Sequence, residues 1–217
     1  MNKVKFIEVK SEIGAGTRGA SMGPDAIKIA ALDYGSNLFH QIESVEVPNE
    51  NHLLFEPPGS NYAKRIKGLY TMYERISTEV SSTLKSGKFP VVLAGDHSTA
   101  GATIAGIKIA YPKQRLGVIW VDAHADIHSP YSTPSGNMHG MPMAITLGED
   151  NSKMNKPDKD TIDMWNKLKK IGGISPKIAY RDLVYMAVRD VEPEETEVLK
   201  KNKVKIFTTN EIRRNGV

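Results

Sequence analysis

Apolar side chains recur every three to four residues at Ile66, Leu69, Met72 or Tyr73, Ile76, Val80 and Leu84, a spacing that predicts an amphipathic helix ending near Gly87. The other strong apolar signals are short and continuous. Phe89–Ala94, 116–121 and 183–188 have the unbroken apolar character of strands buried on both faces of a parallel sheet. Val4–Val9, 44–47 and 204–207 read as further strands. Helical stretches fall between them: 22–32, with Pro24 near its first position; a segment packing through Ala100, Ile104, Ile107 and Ala110; 161–171; and 192–201. Residues 141–147 read as helical or buried, and Thr208 or Thr209 caps a short last helix. Polar segments supply the turns: the glycine-rich stretch 14–19, the loop 49–60, a long loop reaching His139, and a charged surface insertion over 148–160.

Strands alternating with helices at these spacings predict βαβ units. The expected fold class is therefore α/β, with one mostly parallel central sheet between two helical layers. In such sheets function gathers at the carboxyl ends of the strands. Three of the buried runs end there in polar sequence: Asp96-His97, residues 122–126, and Arg189-Asp190.

Composition narrows the chemistry. The 217 residues include no cysteine, which excludes disulfides, thiol nucleophiles, zinc ribbons and iron–sulfur clusters and leaves His and carboxylates as metal ligands. Twenty-nine basic residues against 25 acidic ones give a net charge of +4, yet the lysines are scattered and not interleaved with aromatics, so no nucleic-acid partner is expected. The first residues alternate charged with apolar side chains, which fits neither a signal peptide nor a membrane span and predicts a cytoplasmic protein. His40 and His52 match no pattern and read as surface residues.

The densest chemistry is Asp122-Ala123-His124-Ala125-Asp126, just past a buried run. If the backbone stays extended, the three ionisable side chains project to one side, an arrangement costly to bury unless a cation joins it. His97 is a fourth candidate ligand if its strand lies nearby. Imidazole and carboxylate without thiolate suit Mn²⁺, Zn²⁺, Fe²⁺ or Co²⁺, with the carboxylates leaning toward Mn²⁺, and the set also suits a bridged pair of ions.

The phrases LAGDHS, VDAHADI and SGNMHGMPMA, in that order, resemble the ureohydrolase superfamily, and within it arginases more than agmatinases, because of Ser135-Gly136-Asn137-Met138-His139. TRGASMGPDAI and Arg189-Asp190-Val191-Glu192-Pro193 extend the resemblance over essentially the whole chain. It implies the arginase/deacetylase-like three-layer α/β/α fold in a single domain, 1–217, with its C-terminal part missing. It also implies His97 and Asp126 on one Mn²⁺, His124 on another, and Asp122 bridging both. A metal-activated hydroxide would attack the guanidinium of L-arginine, giving L-ornithine and urea, with His139 as proton shuttle. Ser135 and Asn137 would hold the substrate carboxylate, and Asp190 and Glu192 would lie toward its amino group. The resemblance further implies a homo-oligomer, a trimer or hexamer.

Three departures from the family pattern are visible. His128 stands where arginases commonly carry Asn against the substrate carboxylate, and Glu192 where they usually carry Asp. After Asp190 nothing resembles the later Ser-x-Asp-x-Asp and Asp-Pro motifs or the later Glu that holds the guanidinium. The complete family site would take two Mn²⁺. This chain is expected to hold one or none, with little activity, and to self-associate through an unpaired sheet edge. Two alternatives stand beside the arginase reading: another ureohydrolase, acting on a guanidino or formimino acid, and an inactive ureohydrolase-like binding module.

Overall fold

The computed structural model describes residues 3–151 and 153–216. Along them run β1 (Val4–Val9), α1 (Gly23–Asp33), α2 (Leu38–Gln41), β2 (Glu43–Glu46), α3 (Ile66–Lys85), β3 (Phe89–Ala94), α4 (Ala100–Ala110) and β4 (Val118–Val121). There follow α5 (Pro142–Leu147), α6 (Lys159–Lys169), β5 (Leu183–Met186), α7 (Pro193–Lys201), β6 (Lys205–Phe207) and α8 (Thr209–Asn215). Local chemistry sets several ends. Asp158 accepts the Thr161 N–H at 2.7 Å and starts α6 inside the stretch read as a surface insertion. Thr208 and Glu211 cap α8 reciprocally. Past the end of α3, Gly87 adopts a left-handed φ of 78°.

Every strand pair is parallel, and the class is α/β. The single expected sheet, however, is two three-stranded sheets among the described residues, ordered β2-β1-β3 and β4-β5-β6. In the first, the chain steps from β1 to β2 and then back across β1 to β3; right-handed crossovers in opposite directions put α1 and α3 on opposite faces. The core lies mainly on the α3 side, where Leu69, Met72, Tyr73, Ile76 and Val80 are fully buried against α4 and the sheet.

The expectation of strands buried on both faces fails on the facing edges of the two sheets. Phe89 of β3 and Ile119 and Val121 of β4 are each about two-thirds exposed, and α1 leaves Ile27, Ile29 and Leu32 in solvent. The physical reason is that β3 and β4 do not pair: each is an edge strand among the described residues, and no layer covers these side chains there. Smaller corrections follow from local geometry. The run read as a strand over 183–188 ends at Met186 because Ala187 turns to φ 68°. The loop 49–60 contains a 3₁₀ turn, Asn51–Phe55. No helix of the described residues is long and apolar enough to cross a membrane.

Candidate metal centre

The carboxyl ends of β3, β4 and β5 meet at one cavity of about 300 Å³. It is lined by His97, Asp122, His124 and Asp126 and, beyond them, by His128, Ser135, Asn137, His139, Glu192 and Glu195. A larger open hollow of about 560 Å³ beside α3 and α6 gathers no comparable set of ligating groups.

The first side-chain group comes from two sheets that share no backbone hydrogen bonds. His97 begins a 3₁₀ turn after β3, set by Asp96, which accepts the Ser98 N–H at 2.8 Å and the Gly14 N–H at 3.0 Å. Asp96 is thus a loop clasp that ties the glycine-rich turn to the end of β3. The His97 ring stacks on Trp120 of β4 with centroids 4.4 Å apart. Its Nδ1 lies 3.0 Å from both Asp122 Oδ2 and Asp126 Oδ2.

Asp126 Oδ2 is nonetheless buried without a hydrogen-bond partner, because the imidazole approach is close but misaligned. Burial opposes the charged form of His97, but Asp126, Asp122 and Asp96 outweigh it and hold the imidazole above its ordinary range. Two carboxylates and an imidazole within 4.8 Å, one oxygen orphaned, form a donor set that a divalent cation fits.

How Asp122 and Asp126 converge differs from the expected extended backbone. Strand pairing ends at Val121, and Asp126 takes a left-handed φ of 50°. Tyr185 clamps this turn by donating its hydroxyl to the Ala125 carbonyl at 2.6 Å. Burial, with the charges of Asp126 and Glu195, keeps that phenol far above its usual value, so it stays a neutral donor. Consequently His124 diverges. It is more than half exposed, with Nδ1 3.4 Å from Asp122 Oδ1 and Nε2 3.5 Å from Asp190 Oδ2. Asp122 therefore turns one oxygen toward each histidine. Asp190 is largely exposed and does not line the cavity.

The second group is His128, Glu192 and Glu195, also close enough to share an ion. Its members are already partnered. His128 Nδ1 pairs with Ser132 Oγ at 3.1 Å, and its Nε2 with Glu192 Oε2. Glu195, in the first turn of α7, is buried. Its two oxygens accept the Ile127 and Glu192 backbone N–H groups at 3.1 and 3.2 Å, and burial raises its pKa. The signal that would have found it is the spacing of Glu192 and Glu195 across the start of α7.

On the remaining wall, Gly136 has φ 73°, and a Cβ there would lie 1.9 Å from the Asn61 carbonyl, so only glycine fits. This turn places Ser135, whose Oγ accepts the Asn137 N–H at 3.2 Å, and Asn137, whose Oδ1 accepts from Lys64 at 3.1 Å. His139 is exposed in the cavity, its backbone N–H held by the Gly14 carbonyl at 3.1 Å. Lys64 was not legible as a neighbour of the site, since it precedes Asn137 by 73 residues.

Comparison with known proteins agrees on one family. The sequence pattern of the Arginase family matches residues 2–217. The chain is 33% identical to an arginase of Bacillus caldovelox over its whole length, covering 68% of that protein, and 31% identical to an arginase of Bacillus subtilis, covering 67%. The native structure of the B. caldovelox arginase superposes with a TM-score of 0.80 at 32% identity, over all of this chain and 68% of the other. The chain thus spans about two-thirds of the length of these relatives.

Proposed function

The chain belongs to the arginase family and is an arginase-type ureohydrolase, and from that premise we propose that its cavity takes L-arginine and splits the guanidinium to L-ornithine and urea. The observation that carries this reading is the buried, orphaned Asp126 Oδ2 beside His97 and Asp122. These three residues would hold one Mn²⁺. A second ion would find only His124 and the far oxygen of Asp122 within the described residues, so one ion binds well and a second poorly. When bound, the cation would supply Lewis acidity and make water nucleophilic near neutral pH.

The other roles belong to side chains. His139, exposed in the cavity, gives a proton to the departing amine. Ser135 and Asn137 donate hydrogen bonds to the substrate carboxylate, with Lys64 fixing which way the Asn137 amide faces. His128 lies on the same wall, Glu192 receives the amino group, and Asp190 orients His124. The same reading makes residues 1–217 one domain of a cytoplasmic homo-oligomer, trimer or hexamer, which light scattering tests.

With Mn²⁺ present, urea release from L-arginine is expected to exceed release from agmatine and 4-guanidinobutanoate and turnover of formiminoglutamate. His139→Asn is expected to lower it by roughly 100-fold. Faster turnover of another substrate would contradict arginine, and no turnover of any would favour a binding module. One observation favours a second reading, a different guanidino acid: the carboxylate assigned to the amino group already has a partner in His128.

A further inference from the structure

Carboxylates in the cavity are unequally free. Asp122 and Asp126 face His97, and both oxygens of Glu195 are taken by backbone N–H groups. Glu192 remains, with about half of its side chain exposed, and is the acid in the lining outside the metal cluster that a cationic group on a small molecule can reach. One of its oxygens is engaged by His128 Nε2.

The two partners are unequally anchored. The His128 side chain is only 7% exposed, and its Nδ1 meets Ser132 Oγ. Nε2 faces a carboxylate oxygen, which accepts, so the ring N–H points at Glu192, and Ser132 Oγ, which also accepts the Ser129 N–H at 3.1 Å, has its hydrogen available for Nδ1. The imidazole is fixed in place and orientation, whereas Glu192, whose side chain faces the Glu195 backbone N–H in the capping box that starts α7, keeps about half of its surface in solvent.

We propose that His128 and Glu192 form a selectivity latch. A guanidino acid carrying an amino group must compete with His128 for Glu192 to gain a full partner for its ammonium, whereas one without an amino group meets no such competition. The latch thereby sets how strongly the protein distinguishes the two substrate classes. The inference rests on the reading of the cavity as a guanidino-acid site, but it is tested by binding instead of turnover.

The test is calorimetric titration of metal-free protein with L-arginine and with 5-guanidinopentanoate, which is the same molecule without the amino group. His128→Asn frees Glu192 and is expected to tighten L-arginine binding on the order of tenfold, leaving 5-guanidinopentanoate within about twofold. Glu192→Asp keeps the charge but withdraws it by one methylene from the fixed imidazole, and is expected to shift the ratio of affinities in the same direction. Glu192→Gln is expected to abolish the gain from His128→Asn when the two are combined.

An equal change for both ligands, or weaker L-arginine binding in His128→Asn, would overturn the latch, as would failure of both ligands to bind. A Mn²⁺-loaded protein that releases no urea defeats the hydrolytic reading alone, because these affinities are measured without metal.

Discussion

Two groups of one histidine and two acids line the same cavity, and they are in opposite states. In His97, Asp122 and Asp126 the close contacts are misaligned, one buried oxygen has no partner, and Asp126 sits on a left-handed backbone. In His128, Glu192 and Glu195, backbone N–H groups and a serine hydroxyl fill the places a ligand would take. Residue types and spacing alone do not distinguish an ion site from an internal network. The difference lies in whether the polar atoms are satisfied without the ion, because an unsatisfied buried charge is expensive and a satisfied one has little to gain.

The comparison can be broken most forcefully on the satisfied side. Glu195→Ala removes the acceptor of two backbone N–H groups from a buried position. It is expected to cost about 3 kcal/mol in a denaturant melt while leaving Mn²⁺ stoichiometry unchanged. Asp126→Asn should do the reverse. Replacing the carboxylate is expected to change the stability of the metal-free protein by less than about 1 kcal/mol, because the relief of a buried oxygen without a hydrogen-bond partner is offset by the lost attraction to His97 and Asn tolerates the left-handed backbone, and to abolish stabilisation by Mn²⁺.

The pH dependence sharpens the same contrast. His97 is held above its ordinary range by the acids around it, so its protonation stabilises the metal-free fold at low pH, and this contribution is lost as pH rises through the folded-state value. Mn²⁺ needs the neutral ring, so stabilisation by Mn²⁺ is expected to grow over that same interval, which thermal melts with and without the ion will show. The smallest effect is expected from Tyr185→Phe. It loses the clamp on the Ala125 carbonyl, costs about 1 kcal/mol, and weakens Mn²⁺ binding only severalfold.

Much of this was legible along the chain. The α3 stripe, the six strands and the α/β class follow from periodicity and βαβ spacing, and the order of the motifs placed His97, Asp122, His124 and Asp126 at strand ends. What failed did so where tertiary contacts override local pattern. An extended backbone through Asp126 was the natural expectation, but the left-handed turn under Tyr185 sends His124 toward Asp190. Unbroken apolar character at 116–121 implied burial, yet it reflects only suitability for burial, and Ile119 and Val121 meet no covering layer among the described residues. His128 and Glu192 were visible as separate departures from the family pattern. That they touch each other required the fold.

Mn²⁺ titration calorimetry on the wild type, Asp126→Asn and His128→Asn tests most directly whether the unsatisfied group is the ion site. The expected result is one ion bound tightly by the wild type and by His128→Asn and none by Asp126→Asn. An ion retained in Asp126→Asn and lost in His128→Asn would place the site in the second group and contradict the account.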